Sequence, residues 1–346
     1  MKYNDKMSLT YDDMLLVPQY SDVMSRTEVD ISSELDESLT LALPIIASPM
    51  DTISGSEMAV AMGDLGGLAI IHRYNSVSEQ AALVAAARDS VSVVAAAIGV
   101  SGDALSRAAA LVDAGARILC VDVAHGHHIK MKEILSALRE EFPRGGPIHI
   151  MAGNVATLEG LNDLYDWGAD SVRCNIGGGS ICSTRTQTGH GLPGLQTIFD
   201  CAWTDRPVKI IADGGIRTSG DIVKALAAGA DFVMCGSLLS GTDETPGEIV
   251  HLQSGDIAKE YRGMASREAQ MDWRSRSGSP EGISSYVPYK GSVGHIMGDI
   301  VGGVRSGLSY SGARSIQELQ LKAKWTRQTS AGTQESTTHI NNRRIG

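Results

Sequence analysis

A ring of eight parallel strands alternating with helices, the (β/α)8 TIM barrel of the α/β class, is the fold that this sequence predicts, and three observations predict it. Eight short apolar runs recur along the chain. They are nearly continuous in apolar residues rather than alternating, and stretches with i, i+3, i+4 periodicity lie between them. Continuous apolar strands are those buried on both faces, as in parallel sheets covered by helices. Right-handed crossovers then close the alternation into a barrel. A doubly wound open sheet is the runner-up, but it would normally carry a G-x-G-x-x-G turn after an early strand, and none follows an early strand here.

The strands read in order as Pro44 to Ser48, Leu68 to His72, Val94 to Gly99, Ile118 to Ala124, His149 to Val155, Ser171 to Gly177, Lys209 to Gly215 and Phe232 to Ser237. The helical stretches are Val77 to Arg88, Asp103 to Ala114, Lys130 to Phe142, Thr157 to Gly168 and Ser219 to Ala228. Ser76, Thr157 and Ser219 are N-cap types, because a short hydroxyl side chain accepts from the free N–H groups of a first turn. Ser76 with Glu79 three residues on fits a capping box. Gly168 and Gly229 have the backbone freedom with which helices commonly end.

At roughly 150 residues per domain, 346 residues suggest two domains, but a barrel with insertions uses the same length, and residues 1–346 are read as one barrel domain. Residues 241–291 are polar, with Arg, Ser and Gly interleaved from Trp273 to Ser279, and read as a long active-site loop or flap after strand eight. The polar tail, residues 330–346, is expected to leave the body and either touch something else or stay mobile.

Composition excludes several classes of function. With 42% hydrophobic and 20% charged residues the chain builds a large core and is not a disordered polymer. A formal charge of −10 argues against a nucleic-acid-coating protein or a polybasic membrane binder. The longest apolar runs, such as Val93 to Val100, fall short of the ~20 residues that a membrane span needs. Met1-Lys2-Tyr3-Asn4-Asp5 lacks the apolar region of a signal peptide, so a cytoplasmic location is expected. Five cysteines without a C-x-x-C disfavour a disulfide scaffold or a zinc site. The 39 glycines are about 11% of the chain against a usual ~7%, follow no G-X-Y period and sit at the ends of apolar runs.

A barrel carries its site at the C-terminal ends of its strands, so those residues are read first. Strand seven runs out into Asp213-Gly214-Gly215-Ile216-Arg217 and strand eight into Cys235-Gly236-Ser237-Leu238. Glycine lets backbone N–H groups approach a phosphate closely, and the loops after strands seven and eight are where barrels most often hold one. Plain tight turns would use the same glycines. After strand six, Gly177-Gly178-Gly179-Ser180-Ile181-Cys182-Ser183-Thr184-Arg185 sets a cysteine in a glycine-rich loop near a cation, the surroundings of a thiolate nucleophile. A small packed cysteine, as expected of Cys120, Cys174, Cys201 and Cys235, fits that spacing equally well. Strand four ends Asp122-Val123-Ala124-His125-Gly126-His127-His128. Without a carboxylate–histidine signature the cluster makes a poor metal site. Asp122 is better placed to accept from a ribose hydroxyl, with the histidines as a polar shell.

Over nearly its whole length the chain resembles the inosine monophosphate dehydrogenase and guanosine monophosphate reductase family. The matching stretches are Leu9 to Pro18, Met50-Asp51-Thr52, Ala152-Gly153-Asn154-Val155, the Cys182 loop, Asp213 to Arg217, Tyr261-Arg262-Gly263-Met264 and Val287-Pro288-Tyr289-Lys290-Gly291. The resemblance implies an enzyme acting at C2 of a purine nucleoside monophosphate. Cys182 would form a covalent intermediate there, and hydride would pass between C2 and the nicotinamide of NADPH or NAD. It implies that Ser180, Asp213, Gly215, Gly236, Ser237 and Tyr261 grip ribose and phosphate, and that Met50 and Met264, next to Gly263, flank the base. Asp122, Ala124 and Asn154 would meet the cofactor. The carbonyls of Gly177, Gly179 and Cys182 resemble the family's monovalent-cation loop, a potassium site, and a homotetramer is the implied assembly.

The two family activities differ in what surrounds the intermediate. A dehydrogenase hydrolyses it, using an arginine base in an Asp-Arg-Tyr-Phe flap motif that is absent here. Only 16 residues separate Met264 from Glu281, close to the shorter reductase flap. Arg274 and Arg276 are the candidate substitutes for the base, against a reading as a solvated basic loop. The reductase pairs a threonine two residues after the cysteine with a glutamate, to handle the proton that ammonia carries away. Thr184 and Glu281 fill those positions, and a carboxylic acid near a hydroxyl makes a reasonable relay, although bacterial dehydrogenases carry the same Pro-Glu-Gly.

Ser48 to Thr52, Gly241 to Glu248 and Gln334-Glu335-Ser336 resemble the dehydrogenase branch, in which the tail reaches the neighbouring subunit's potassium site. The regulatory (CBS-type) module common after strand two in dehydrogenases is missing, since Arg88 leads straight to Val94. A missing base outweighs a retained surface motif, so the expectation is GMP reductase, converting GMP and NADPH to IMP, NADP and ammonia. IMP dehydrogenase, converting IMP, NAD and water to XMP and NADH, is the alternative. Three positions depart from the family: Gly178 stands for Pro, Asn175 for Gly and Ser183 for Thr. These changes either loosen the catalytic loop or admit a modified or deoxy nucleotide. A nucleotide sensor without catalysis is a reading of another class, against which Cys182, Thr184 and Glu281 argue. An aldolase or isomerase barrel lacks a Schiff-base lysine at a strand end, because Lys209 begins strand seven and Lys290 lies in the flap.

Overall fold

The computed structural model describes residues 7–274 and 280–337. Eight parallel strands close into the expected barrel: β1 (Ile45–Ala47), β2 (Leu68–Ile71), β3 (Ala95–Ile98), β4 (Ile118–Asp122), β5 (His149–Val155), β6 (Ser171–Cys174), β7 (Lys209–Asp213) and β8 (Phe232–Cys235). Closure is between β8 and β1, with Val233 opposite Ile45 and Cys235 opposite Ala47. The strands are predominantly apolar because both faces are buried. Ile46, Ile70, Ala97, Met151, Ile211 and Phe232 belong to the cluster that fills the barrel, and alternate residues such as Ile45, Ile71, Ile98 and Val121 pack against the helices. A hairpin of Ser33–Asp36 and Leu39–Leu41 adds Leu35 and Leu41 to the inner cluster.

Several strands stop sooner than the apolar runs suggest. β6 ends at Cys174 because Asn175 turns the chain at φ +147°, and β7 ends at Asp213 because Gly214 and Gly215 follow at φ +81° and +75°. The loops at the catalytic end therefore begin inside the predicted strands.

The helices α1 (Ser56–Asp64), α2 (Val77–Arg88), α3 (Ala104–Asp113), α4 (Ile129–Glu141), α5 (Leu158–Trp167), α6 (Thr184–Thr188), α7 (Gly194–Cys201) and α8 (Ser219–Ala227) follow in order. The capping box of Ser76 and Glu79 is formed, and Thr157 accepts from Gly160. At α8 the cap is Thr218 rather than Ser219, since its hydroxyl accepts from Asp221 N at 3.1 Å and Ser219 is already helical.

Residues 241–291 are not a plain loop. A short helix, α9 (Arg267–Arg274), joins a three-stranded antiparallel sheet of β9 (Val250–His251), β10 (Ile257–Arg262) and β11 (Ser284–Pro288). These strands are half exposed and carry few apolar residues, so periodicity does not reveal them. The sheet is tied to the start of this segment, where the chain leaves β8, by the buried Lys259, whose ammonium donates to the carbonyls of Thr242 (3.1 Å), Asp243 (3.3 Å) and Thr245 (2.6 Å). Desolvation lowers the pKa of that lysine.

Two more helices, α10 (Val293–Tyr310) and α11 (Ile316–Lys322), complete the outer ring. The tail then turns back. Trp325–Arg327 pairs with Met14–Leu16, and α12 (Ser330–Glu335) follows. Thr333 Oγ1 donates to the Asp12 carbonyl at 3.1 Å, so through residue 337 the tail lies on the body rather than leaving it. Residues 338–346 lie outside the described residues. No helix among the described residues is long and apolar enough to cross a membrane.

Candidate active site

A cavity of about 550 Å³ opens at the C-terminal ends of the strands, between the loop after β6 and the flap. A charged lattice forms its floor. Arg173, buried on β6, reaches the Asp122 carboxylate on β4 at 2.5 Å and the Asp213 carboxylate on β7 at 2.7 Å. Burial opposes the charge on Arg173, but the two carboxylates outweigh it and hold its pKa well above the ordinary arginine value. Asn154 Nδ2 donates to Asp213 at 2.7 Å, and Arg73 donates to the Asp122 carbonyl at 3.2 Å. Both aspartates are thereby held at strand ends, where they line the cavity.

At the β8 end, three groups converge on the backbone of Gly236. A Cβ there would lie 2.8 Å from the Tyr261 hydroxyl, 3.1 Å from Ser48 Oγ and 3.3 Å from Met50 Sδ, so only glycine fits. Burial pushes the Tyr261 phenol up to about 12, which keeps it protonated and able to donate. Ser48 Oγ is buried and has no partner among the described residues.

The Cys182 loop forms the wall. Cys182 is exposed while the other four cysteines are buried, and its Sγ lies 3.2 Å from Thr184 Oγ1. Main-chain bonds stitch the loop to the flap. Ser183 N donates to Glu281 O at 2.9 Å, Ile283 N to Ile181 O at 3.0 Å, and Glu281 N to Ala265 O at 3.0 Å. Gly263 and Gly282 touch backbone to backbone, since a Cβ on Gly263 would meet Gly282 Cα at 3.2 Å. Cys182, Thr184 and Glu281 therefore face one cavity although 97 residues separate Ser183 from Pro280. Met264 Sδ accepts the Asp51 N–H at 3.2 Å, which fixes that side chain over the β1 end.

All the residues that the family resemblance implies for catalysis, substrate, cofactor and cation line this cavity except Ser180, Gly215 and Ser237. Ser180 is exposed and hydrogen-bonds the Tyr261 hydroxyl. Gly215 lies under the Gly178 carbonyl, and the Ser237 carbonyl takes the Lys290 ammonium at 2.9 Å. Arg73, Arg173 and Ser48 are site residues to which motif reading gave no role. The signal for Arg173 was a lone charge inside an otherwise apolar buried strand; Ser48 gave none.

The histidines after β4 have separate roles. His127 pairs with Asp163 at 2.8 Å, and His128 caps α4 by accepting from Lys130 N at 3.1 Å. Burial, followed by the neighbouring histidines, lowers the pKa of His125. Among the described residues no group of three or more His, Cys, Asp or Glu is placed to hold a metal. Of the two candidate flap bases, Arg274 ends α9 and Arg276 lies outside the described residues.

Residues 8–339 match the model of the IMP dehydrogenase / GMP reductase domain. The chain belongs to this family. Its members are oxidoreductases that use a nicotinamide dinucleotide. Similar relatives include an inosine-5'-monophosphate dehydrogenase of Nitrosopumilus maritimus, 33% identical over 96% of this chain and 98% of the relative. A GMP reductase of Leishmania major is 32% identical over 96% of each. Among solved structures, a cysteine-to-alanine variant of GMP reductase from Trypanosoma brucei in complex with guanosine 5'-monophosphate superposes with a TM-score of 0.91 at 32% identity, covering 97% of this chain and 98% of that one. The alignment with the N. maritimus family member spans 472 positions, more than the 346 residues present here. In this chain α2 ends at Arg88 and β3 begins at Ala95, so no inserted module separates them.

Proposed function

We propose that the protein is a GMP reductase, converting GMP and NADPH to IMP, NADP and ammonia through a covalent bond between Cys182 and C2 of the purine. The observation that carries this reading is the contact of Cys182 Sγ with Thr184 Oγ1 at 3.2 Å in a cavity also lined by Glu281. An amine leaves carbon readily only when it takes up a proton, and a hydroxyl beside the nucleophile with a carboxyl group nearby supplies one. In this account the Cys182 thiolate attacks C2, and the C2–amine bond breaks with a proton drawn from Glu281 through Thr184. After hydride has reached C2 the carbon–sulfur bond breaks and Cys182 leaves as thiolate.

Asp213 would hold the nucleotide ribose, and the glycine backbone at Gly215 and Gly236, with Ser180, Ser237, Ser48 and Tyr261, would hold the phosphate. Met50 and Met264, beside Gly263, would hold the base. The remaining side of the cavity suits a nicotinamide dinucleotide, because it offers the carboxylate of Asp122 as acceptor beside Ala124 and Asn154, with Tyr74 and Trp273 as apolar walls. When bound, the reduced nicotinamide supplies the hydride to C2. A potassium ion would draw on the carbonyls of Gly177, Gly179 and Cys182. Three carbonyls do not fill the coordination shell of such an ion, so further ligands would come from a neighbouring subunit of the proposed homotetramer. Residues 241–291 would act as the flap of a single barrel domain, in the cytoplasm.

IMP dehydrogenase is the second reading, favoured by relatives of that name at 33% and 34% identity. Two incubations separate them. The protein is mixed with GMP and NADPH, or with IMP and NAD, and absorbance is followed at the reduced-cofactor band. Loss of absorbance in the first supports the reductase, and a gain in the second alone overturns it.

A further inference from the structure

Asn175 and Gly178, two of the positions at which the family resemblance implies other residues, meet in space. Asn175 follows β6 directly, is 3% exposed and, among the described residues, is the one non-glycine with positive φ, at +147°. That backbone region favours glycine, so a side chain there carries a conformational cost that its contacts must offset. The contacts span the site. Asn175 Nδ2 donates to Gly214 O on the β7 loop at 3.3 Å, and Asn175 Oδ1 accepts from the Arg185 guanidinium at 3.3 Å. Arg185 in turn donates to Ile176 O at 3.0 Å and to Leu192 O. The Asn175 backbone is held as well, by Asn154 Nδ2 at its carbonyl (3.0 Å) and by Val155 O at its N–H (2.8 Å).

Gly178 is the glycine this arrangement demands. A Cβ at position 178 would lie 2.1 Å from Asn175 Nδ2 and 2.8 Å from both Cγ and Oδ1. Gly194 faces the same amide, with a Cβ there 3.2 Å from Nδ2. The Asn175 side chain thus occupies the space that a residue 178 side chain would take, and uses it to join the Cys182 loop, the Asp213-Gly214-Gly215 turn and Arg185.

We infer that Asn175 and Gly178 form an interlocked pair that sets where Cys182 stands relative to the turn after β7, with Asn175 a positioning residue acting through Gly214 and Arg185. The inference rests on Cys182 as the nucleophile, but not on the direction of the reaction. The buried Asn175 amide fixes the loop by filling the space that a side chain at 178 would take.

The test is a double-mutant cycle with Asn175→Gly, Gly178→Ala and the pair, in the full chain. The readouts are kcat, KM for the nucleotide, and the pH profile of iodoacetamide alkylation, which selects Cys182 because the other cysteines are buried. Displacement of a reacting group by about 1 Å costs on the order of 10²-fold in rate. Gly178→Ala is therefore expected to lower kcat by about 10-fold or more with KM changed less than about 3-fold. Asn175→Gly is expected to lower kcat and to shift the alkylation profile. The pair is expected to be better than Gly178→Ala alone, because removal of the amide makes room for the new methyl. Additive losses in the pair, or an alkylation profile in Asn175→Gly identical to that of the parent, would overturn the inference. The alkylation arm reads out even if neither the GMP nor the IMP incubation shows turnover, so failure of the proposed reaction is told apart from failure of the lock.

Discussion

Replacing Arg173 by methionine keeps an unbranched stem, shorter than the arginine, and removes the cation that bridges β4, β6 and β7. The parent holds the pair at 2.5 Å to Asp122 and 2.7 Å to Asp213, with side-chain exposures of 7% for the arginine and 15% and 13% for the aspartates. Loss of one partner from a buried ion pair typically costs about 3–5 kcal/mol, because the remaining charge stays desolvated and unpaired. Here two carboxylates are left, with Asn154 and the more distant Arg73 as their remaining donors. At ~2.1 cal/mol/K per residue the unfolding entropy of 346 residues is about 0.7 kcal/mol/K, so the melting temperature should fall by about 4–7 °C. Differential scanning calorimetry measures this directly. Asp213→Asn added to Arg173→Met should recover part of the loss, because it removes one of the stranded charges. A melting temperature within about 1 °C of the parent, or a further fall on adding Asp213→Asn, would refute the electrostatic account of the cavity floor.

Other expectations follow from the same geometry. Cys182→Ala should abolish turnover while leaving nucleotide affinity within a few-fold of the parent by calorimetric titration, since binding is assigned to the phosphate loops; retained turnover would remove the nucleophile. Thr184→Ala or Glu281→Gln should slow ammonia release far more than hydride transfer in rapid-quench measurements, and equal slowing of both steps would count against the relay. Asp231 has its carboxyl pushed up from 3.8 to about 6, chiefly by burial, so the folded state binds this proton more tightly than the unfolded chain and stability falls as pH rises from about 4 to about 6. Asp231→Asn should remove that decline when the two proteins are compared by denaturant melts at pH 4 and pH 7, and an unchanged pH dependence would disprove it.

The barrel was legible because its strands are buried on both faces, so residues such as Ile45 and Ile46 are both apolar and the run reads without alternation. The helices α2 to α5 and α8 were legible from their stripes and caps. α10 was not, because five of its eighteen residues are glycine and blank the periodicity. Those glycines serve packing: a Cβ on Gly303 would meet Ser219 Oγ at 2.2 Å and one on Gly307 would meet Val223 at 2.5 Å, so α10 approaches α8 at close range. In the site, Cys182 and the strand-end glycines announce themselves by composition. Arg173 does not, because its partners lie 51 and 40 residues away and are adjacent only once the ring has closed. Gly178 and Asn175 are visible in the sequence as separate oddities; their common cause is a side-chain volume shared in space.

The central claim is that this cavity removes ammonia from GMP through Cys182. It is tested most directly by counting ammonia against NADPH oxidised in one reaction with GMP, for the parent and for Cys182→Ala. The account predicts one ammonia per NADPH in the parent and neither product in the variant. NADPH oxidation without ammonia, unchanged turnover in Cys182→Ala, or activity confined to IMP with NAD would contradict it.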